Sequence, residues 1–266
     1  MIMDVRSKLT QLLLIILLPA TSLFGQEINI GRQDSIESEV LKETRKFLIK
    51  LPKDYDSSDR SYPVLYRLDG DLNLFIETAG TVQRLVYREE LIPEMIVVLI
   101  ENTHRNRDMM PTNTGFFTGE PGADNFKMFI EDELIPHMSS SYRISDEKIL
   151  CGQSLSSIFV LYCFLTSPNI FDSYIASSAG FPDCEDYFLK LTKKMLEDEK
   201  KEPKKIFLSY GAKDFLDPEG VMRQQISNFV QLIETDNSKE SRFKIYEDEN
   251  HVPYQSLYHG LKYLYE

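Results

Sequence analysis

Cysteine is scarce in this 266-residue chain. Its three thiols, Cys151, Cys163 and Cys184, are odd in number and lack C-x-x-C spacing, which argues against both a structural zinc site and a disulfide framework. Cys151 ends an apolar strand-like run and Cys163 lies in an apolar helix-like one, so buried free thiols are expected, with a Cys163–Cys184 bridge as the alternative. Basic residues are also few, 30 Lys plus Arg against 42 Asp plus Glu, for a formal net charge of −12. A surface of that sign repels phosphate backbones and anionic lipid, so neither nucleic acid nor a membrane surface is expected as a partner. Long hydrophobic runs are missing as well. The apolar run Leu12–Leu18 falls far short of the roughly 18 to 20 residues a spanning helix needs, and no second run of that kind follows. Internal repeats and low-complexity linkers are absent.

What is present starts with an N-terminal address. Arg6 and Lys8 precede the apolar run, and Pro19, Ala20, Ser22 and Gly25 follow it, which is the charged, apolar and cleavable order of a secretory signal. Cleavage near Gly25–Gln26 is expected, leaving residues 26–266 as a single exported domain, periplasmic or extracellular. No Cys lies near that point to take a lipid anchor. With 42% apolar and 27% charged residues, the remaining chain can bury one sizeable core.

Strand-like runs lie at Lys46–Leu51, Pro63–Leu68, Met95–Glu101, Lys148–Cys151, Ser173–Ser177, Lys205–Tyr210 and Phe243–Glu247. Several are continuously apolar, as in Met95–Ile100, which is how strands covered on both faces read. Helical spacing predicts helices over Asn73–Arg88, Asn125–Ser140, Leu155–Leu165, Asp183–Lys200, Pro218–Glu234 and Pro253–Tyr265. This alternation predicts an α/β fold: a mostly parallel sheet flanked by helices on both faces, with the earliest runs forming an antiparallel edge. His104–Gly122 has no clear period and is rich in Pro, Gly, Thr and Asn, so it is expected to be a functional or mobile loop.

The strand Lys148–Cys151 runs into Gly152-Gln153-Ser154-Leu155-Ser156-Ser157 and then into an apolar helix. A serine on a sharp strand-to-helix turn exposes its hydroxyl, needs small residues two before and two after it, and lies against the amides of the helix start. Gly152 and Ser156 meet that size requirement. A serine nucleophile needs a base, and the base needs an acid to orient it. In the nucleophile, acid, base order of such folds the base must follow Ser154, which leaves His251 in a loop after a strand and His259 inside the last helix; His251 is the better placed. Asp214, just past the strand Lys205–Tyr210 on a loop opened by Gly211, is the leading acid. Asp217 is the alternative, though it precedes Pro218 and would serve as a helix cap. The backbone N–H of Leu155, with that of Gly70 or Asp71 after the strand Pro63–Leu68, is the expected oxyanion pair.

Five segments in order, YPVLYRLDGD, IVVLIENTHRNRDMMPT, CGQSLSS, LSYGAKD and YEDENHVPYQSLYHGLKYLY, run from about Arg45 to the C-terminus. Together they resemble the esterase family of the α/β-hydrolase superfamily that includes enterochelin esterases, S-formylglutathione hydrolases, and feruloyl and acetylxylan esterases. The resemblance implies Ser154, Asp214 and His251 as nucleophile, acid and base. It also places Arg105 and Arg107 near the substrate, where a guanidinium can hold an anionic ligand, or Arg107 simply pairs with Asp108. Where such esterases usually carry glycines, this chain has Ser156 and Ser157, whose side chains are expected to crowd the elbow or alter helix packing.

The chemistry implied is hydrolysis of a small-molecule or carbohydrate-linked ester through an acyl-enzyme, with no metal or organic cofactor required. Siderophore esters also fit. Other readings of the same residues are a non-catalytic binding protein on the hydrolase fold and, among enzymes, a peptidase or acyltransferase.

Overall fold

The computed structural model describes residues 29–266 apart from Phe116, Thr118, Pro182, 199–203 and 236–239. The proposed signal segment, residues 1–25, lies outside the described residues. Eight strands form one sheet: β1 (Arg32–Ser38), β2 (Glu43–Lys50), β3 (Tyr62–Gly70), β4 (Ile96–Glu101), β5 (Ile144–Gln153), β6 (Ser173–Ser177), β7 (Lys205–Gly211) and β8 (Glu240–Tyr246). Their spatial order is β1-β2-β4-β3-β5-β6-β7-β8. The β1–β2 and β2–β4 pairs are antiparallel and all the others parallel, so the antiparallel edge lies where the sequence places it.

The side-chain period of two sorts the central strands between two cores. Ile96, Val98 and Ile100 of β4, with Val64 and Tyr66 of β3, enter one apolar cluster. Val97 and Leu99, with Leu65, Ile149 and Phe207, enter another. The second cluster is closed by helices α1 (Leu72–Tyr87) and α8 (Ser256–Leu264). The first is closed by α3 (Ala123–Met128), α4 (Ile135–Ser141), α5 (Leu155–Thr166), α6 (Glu185–Leu196) and α7 (Val221–Glu234). Helix α5 has ten consecutive buried residues, Ser156 to Leu165, because it runs along the middle of the sheet beneath its neighbours.

Three elements differ from expectation. Strand β1 was not foreseen, because RQDSIES is mostly polar and mostly exposed; it owes its form to the ladder with β2 rather than to a hydrophobic pattern. The helix expected over Asn125–Ser140 is a continuous path from Ala123 to Ser141 with a wide π turn over Phe129–Leu134. That turn lies just before Pro136, which has no N–H to give to the carbonyl four residues back. The segment expected to be a long loop contains a short helix, α2 (Arg105–Met109), and is tied down by Gly122 and Ala123 amides on the carbonyls of Arg107 and Met110.

Candidate active site

The residues singled out in the sequence lie at the carboxyl ends of the strands, where loops of a doubly wound sheet gather. Ser154 directly follows β5 and stands at φ 54°, ψ −126°, a conformation an L-residue adopts only under constraint. Two backbone bonds hold it there: its N–H donates to the Ser177 carbonyl at 2.8 Å, and its own carbonyl accepts the Ser157 amide at 2.9 Å. Gly152 makes the turn possible. A Cβ at that position would lie 2.6 Å from the Ser156 carbonyl oxygen, so only glycine lets the start of α5 fold back so closely onto β5.

The structure brings Ser154, His251 and Asp214 together. His251 Nε2 lies 2.8 Å from Ser154 Oγ, and His251 Nδ1 lies 2.7 Å from Asp214 Oδ2. A carboxylate only accepts, so Asp214 fixes the imidazole proton on Nδ1 and leaves the Nε2 lone pair for the serine O–H. Asp214 is only 4% exposed, and its other oxygen accepts the Leu216 amide at 2.9 Å. Asp217 turns elsewhere: it accepts the amides of Met222 and Arg223 at 3.1 and 2.9 Å and so caps the first turn of α7. His259 also lies apart, its Nδ1 2.8 Å from the Tyr246 hydroxyl, and burial together with Lys244 lowers its pKa.

The loop carrying His251 is seated by Gly211 and by two residues the sequence did not mark, Val252 and Ser178. At Gly211 a Cβ would lie 2.0 Å from the Asn250 carbonyl oxygen, so this glycine admits the histidine loop against the end of β7. Val252, at φ 57°, is a β-branched residue in the left-handed region, and its N–H donates to the Ser178 hydroxyl at 3.0 Å. Ser178 itself stands at φ 51° at the end of β6, its amide on the Ser209 carbonyl. Phe215 sets its ring edge-on to the His251 imidazole, 5.9 Å between centroids.

On the opposite side, Gly70 ends β3, and Asp71 caps α1 by accepting the Leu74 amide at 2.8 Å. Directly before them Asp69 stands at φ 60°. Arg105 donates to it through Nε and Nη2, both at 2.7 Å, and Asn102 adds a third bond at 2.7 Å. Burial alone would raise the Asp69 carboxyl, but the bonds and charge of Arg105, with Asn102 and Ser156, more than offset it and hold it below the usual carboxylate range. Arg107 instead donates to Asp108 at 2.7 Å and to Glu43 at 3.0 Å, within a buried network that includes Arg45. Ser156 and Ser157 are both fully buried and absorbed into the helix start: Ser156 bonds Asp69, and Ser157 bonds the Ser154 carbonyl.

Two adjoining pockets share Leu74, Glu77 and Gln153, the last being the neighbour of Ser154. One, of about 170 Å³, reaches Val252 and Tyr254; the other, of about 440 Å³, reaches Asp69, Asp71 and Arg105. A further cavity of about 460 Å³, beside Lys50 and Lys53, shares no lining residue with either. All three cysteines are free and buried, so the alternative of a Cys163–Cys184 bridge is not what the fold contains. Burial pushes the Cys151 thiol up to about 11 and the Cys184 thiol up to about 12, which leaves both unreactive. Among the described residues no group of three or more His, Cys, Asp or Glu is arranged to hold a metal ion, and no helix is long and apolar enough to cross a membrane.

Comparison with known proteins adds a relationship to this geometry. The chain is 31% identical over 171 residues to ferri-bacillibactin esterase BesA of Bacillus subtilis (strain 168), covering 56% of this chain and 59% of that protein. It is 28% identical over 127 residues to the siderophore triacetylfusarinine C esterase of Aspergillus fumigatus, covering 44% and 43% respectively. The chain thus spans about half the length of the curated relatives it matches. An IroE-like serine hydrolase from Shewanella oneidensis superposes with a TM-score of 0.79 at 28% identity, over 88% of this chain and 80% of that one. The family model described as "Putative esterase" matches residues 38–251, from the end of β1 through the histidine loop and so across every strand that carries the site. By that match the chain belongs to this esterase family and carries its α/β-hydrolase fold.

Proposed function

We propose that the chain hydrolyses a carboxylic ester with Ser154 as nucleophile, His251 as general base and Asp214 as the acid that orients the base. The observation that carries this reading is the unbroken chain of contacts from Ser154 Oγ through the imidazole to Asp214, 2.8 and 2.7 Å. Ser154 Oγ attacks the carbonyl carbon while His251 Nε2 takes its proton. The resulting oxyanion accepts from the N–H of Leu155 and from that of Gly70 or Asp71. His251 then gives its proton to the departing alcohol, leaving Ser154 acylated. Water, deprotonated by the same nitrogen, attacks the acyl group, and the acid is released with Ser154 restored.

The substrate is a small-molecule ester, and the names of the two curated relatives weigh towards a siderophore ester over a carbohydrate-linked acyl ester. Arg105 supports that choice: two of its nitrogens are held on Asp69 while the side chain stays 37% exposed in the pocket beside Gln153, where it would meet an anionic or catecholate oxygen. The charged, apolar and small-residue order of the first 25 residues supports export, and one continuous sheet supports a single esterase unit from about residue 26.

The test is hydrolysis of p-nitrophenyl acetate by the chain from Gln26 onward, beside Ser154→Ala and His251→Ala. Turnover by the native protein, lost by about 10³-fold or more in both variants, is the expected result. Equal rates in all three would remove the triad reading and leave a hydrolase-fold binding protein. Fluorophosphonate labelling of Ser154 separates those two readings without a substrate.

A further inference from the structure

We infer that Ser156 is a positioning residue that sets the gap between the nucleophile elbow and the oxyanion side of the site by bonding Asp69. The inference rests on the ester hydrolysis proposed above. The Ser156 side chain is fully buried, and a buried hydroxyl without partners is costly, so its bonds are not incidental. Its oxygen accepts the Gln153 amide at 2.8 Å. Two acceptors, the Gln153 carbonyl and Asp69 Oδ2, each lie 2.8 Å from it. One hydroxyl proton must choose between them, and an ionised carboxylate is the stronger acceptor. The bond to Asp69 is therefore the one that carries the proton.

Asp69 is a natural fulcrum. It stands in the left-handed region immediately before Gly70 and Asp71, whose amides are the candidate second oxyanion donors. Asn102 and Arg105 hold its carboxylate from the far side, both from the segment after β4. Ser156 holds it from the near side, from the first turn of α5, whose leading amide, that of Leu155, is the other donor. The two donors thus belong to separate segments, the end of β3 and the start of α5, and the Asp69–Ser156 bond joins them two residues beyond Ser154. Arg105 Nη2 adds a longer contact to the Gln153 carbonyl at 3.4 Å. A shift of a few tenths of an ångström between the two loops would spoil the alignment of an oxyanion, which two fixed amides must meet at once.

The test compares Ser156→Ala, Asp69→Asn and the double variant with the native chain, in p-nitrophenyl acetate kinetics, fluorophosphonate labelling of Ser154, and thermal melting. The expected result is a fall in kcat of about tenfold or more for Ser156→Ala with KM within about twofold, a parallel fall in labelling rate, and a double variant no slower than the worse single one. A lowered melting temperature with kcat and labelling unchanged would overturn the inference and leave Ser156 a packing residue only. If Ser156→Ala does not fold, Asp69→Asn, which keeps the shape, must show the same kcat loss, and an unchanged kcat there overturns the inference equally. Should the native chain label but not turn over esters, the hydrolysis proposal fails alone and the labelling ratio still decides the role of Ser156. A native chain that neither turns over nor labels overturns both.

Discussion

Asp214 and Asp217 lie three residues apart, and the difference between them is one of direction: one carboxylate meets an imidazole, the other two helix amides. Their replacements should separate cleanly. Asp214→Asn leaves an amide that cannot hold the same tautomer of His251, and kcat is expected to fall by about 10³- to 10⁴-fold with the fold intact. Asp217→Ala removes a cap, and a urea melt should show a loss of about 1 kcal/mol with kcat nearly unchanged. Asp69 gives a pH prediction. Its folded-state pKa is depressed, so the stability it contributes is present above the unfolded value of about 3.9 and is lost as pH falls through the lower folded value. Acid unfolding below about pH 4 should therefore be less steep in Asp69→Asn than in the native chain, as followed by circular dichroism. Ser154, His251 and Asp214 could be singled out in the sequence because each follows a hydrophobic strand, and the structure brings their side chains together. Asp69, Ser178 and Val252 were not legible. A left-handed backbone at a residue other than glycine leaves no trace in composition, and all three are of that kind.

At the scale of elements, the histidine loop owes its place to two neighbours, β6 and β7. The Ser178 hydroxyl satisfies the Val252 amide, and Gly211 makes room for Asn250. Ser178→Ala leaves that amide without its partner, and the expected cost is about 1 to 3 kcal/mol in a denaturant melt, with kcat falling more than KM rises as His251 loses its fixed approach. The central strands were readable because burial on both faces forces an apolar run, as at β4 and β6. Strand β1 was not, since an edge strand with polar side chains is specified by its partner's ladder. Helix α2 escaped for a related reason: five residues are too few to show a helical period, and Asp108 is held by tertiary ion pairs instead.

Over the whole molecule, the buried pair of Arg45 and Asp108, 2.8 Å apart with both side chains fully buried, fastens the antiparallel edge to the segment that carries Arg105. Asp108→Ala would leave Arg45 with the partly exposed Glu43 as its remaining carboxylate partner, and a loss of up to about 3 to 5 kcal/mol is expected in a thermal melt. The formal net charge of −12 bears on encounter rather than on chemistry, and it favours neutral or cationic partners at long range. The order in which the sheet is laid down has its own outcome. Ser154 belongs to the middle of the chain and His251 lies 97 residues later, beyond the final strand, which pairs at the far margin of the sheet. On the proposed triad, a chain still being synthesised therefore holds a serine no more nucleophilic than any other alcohol. The proposed hydrolysis would begin only once the last strand has paired and the loop beyond it has set His251 against Ser154.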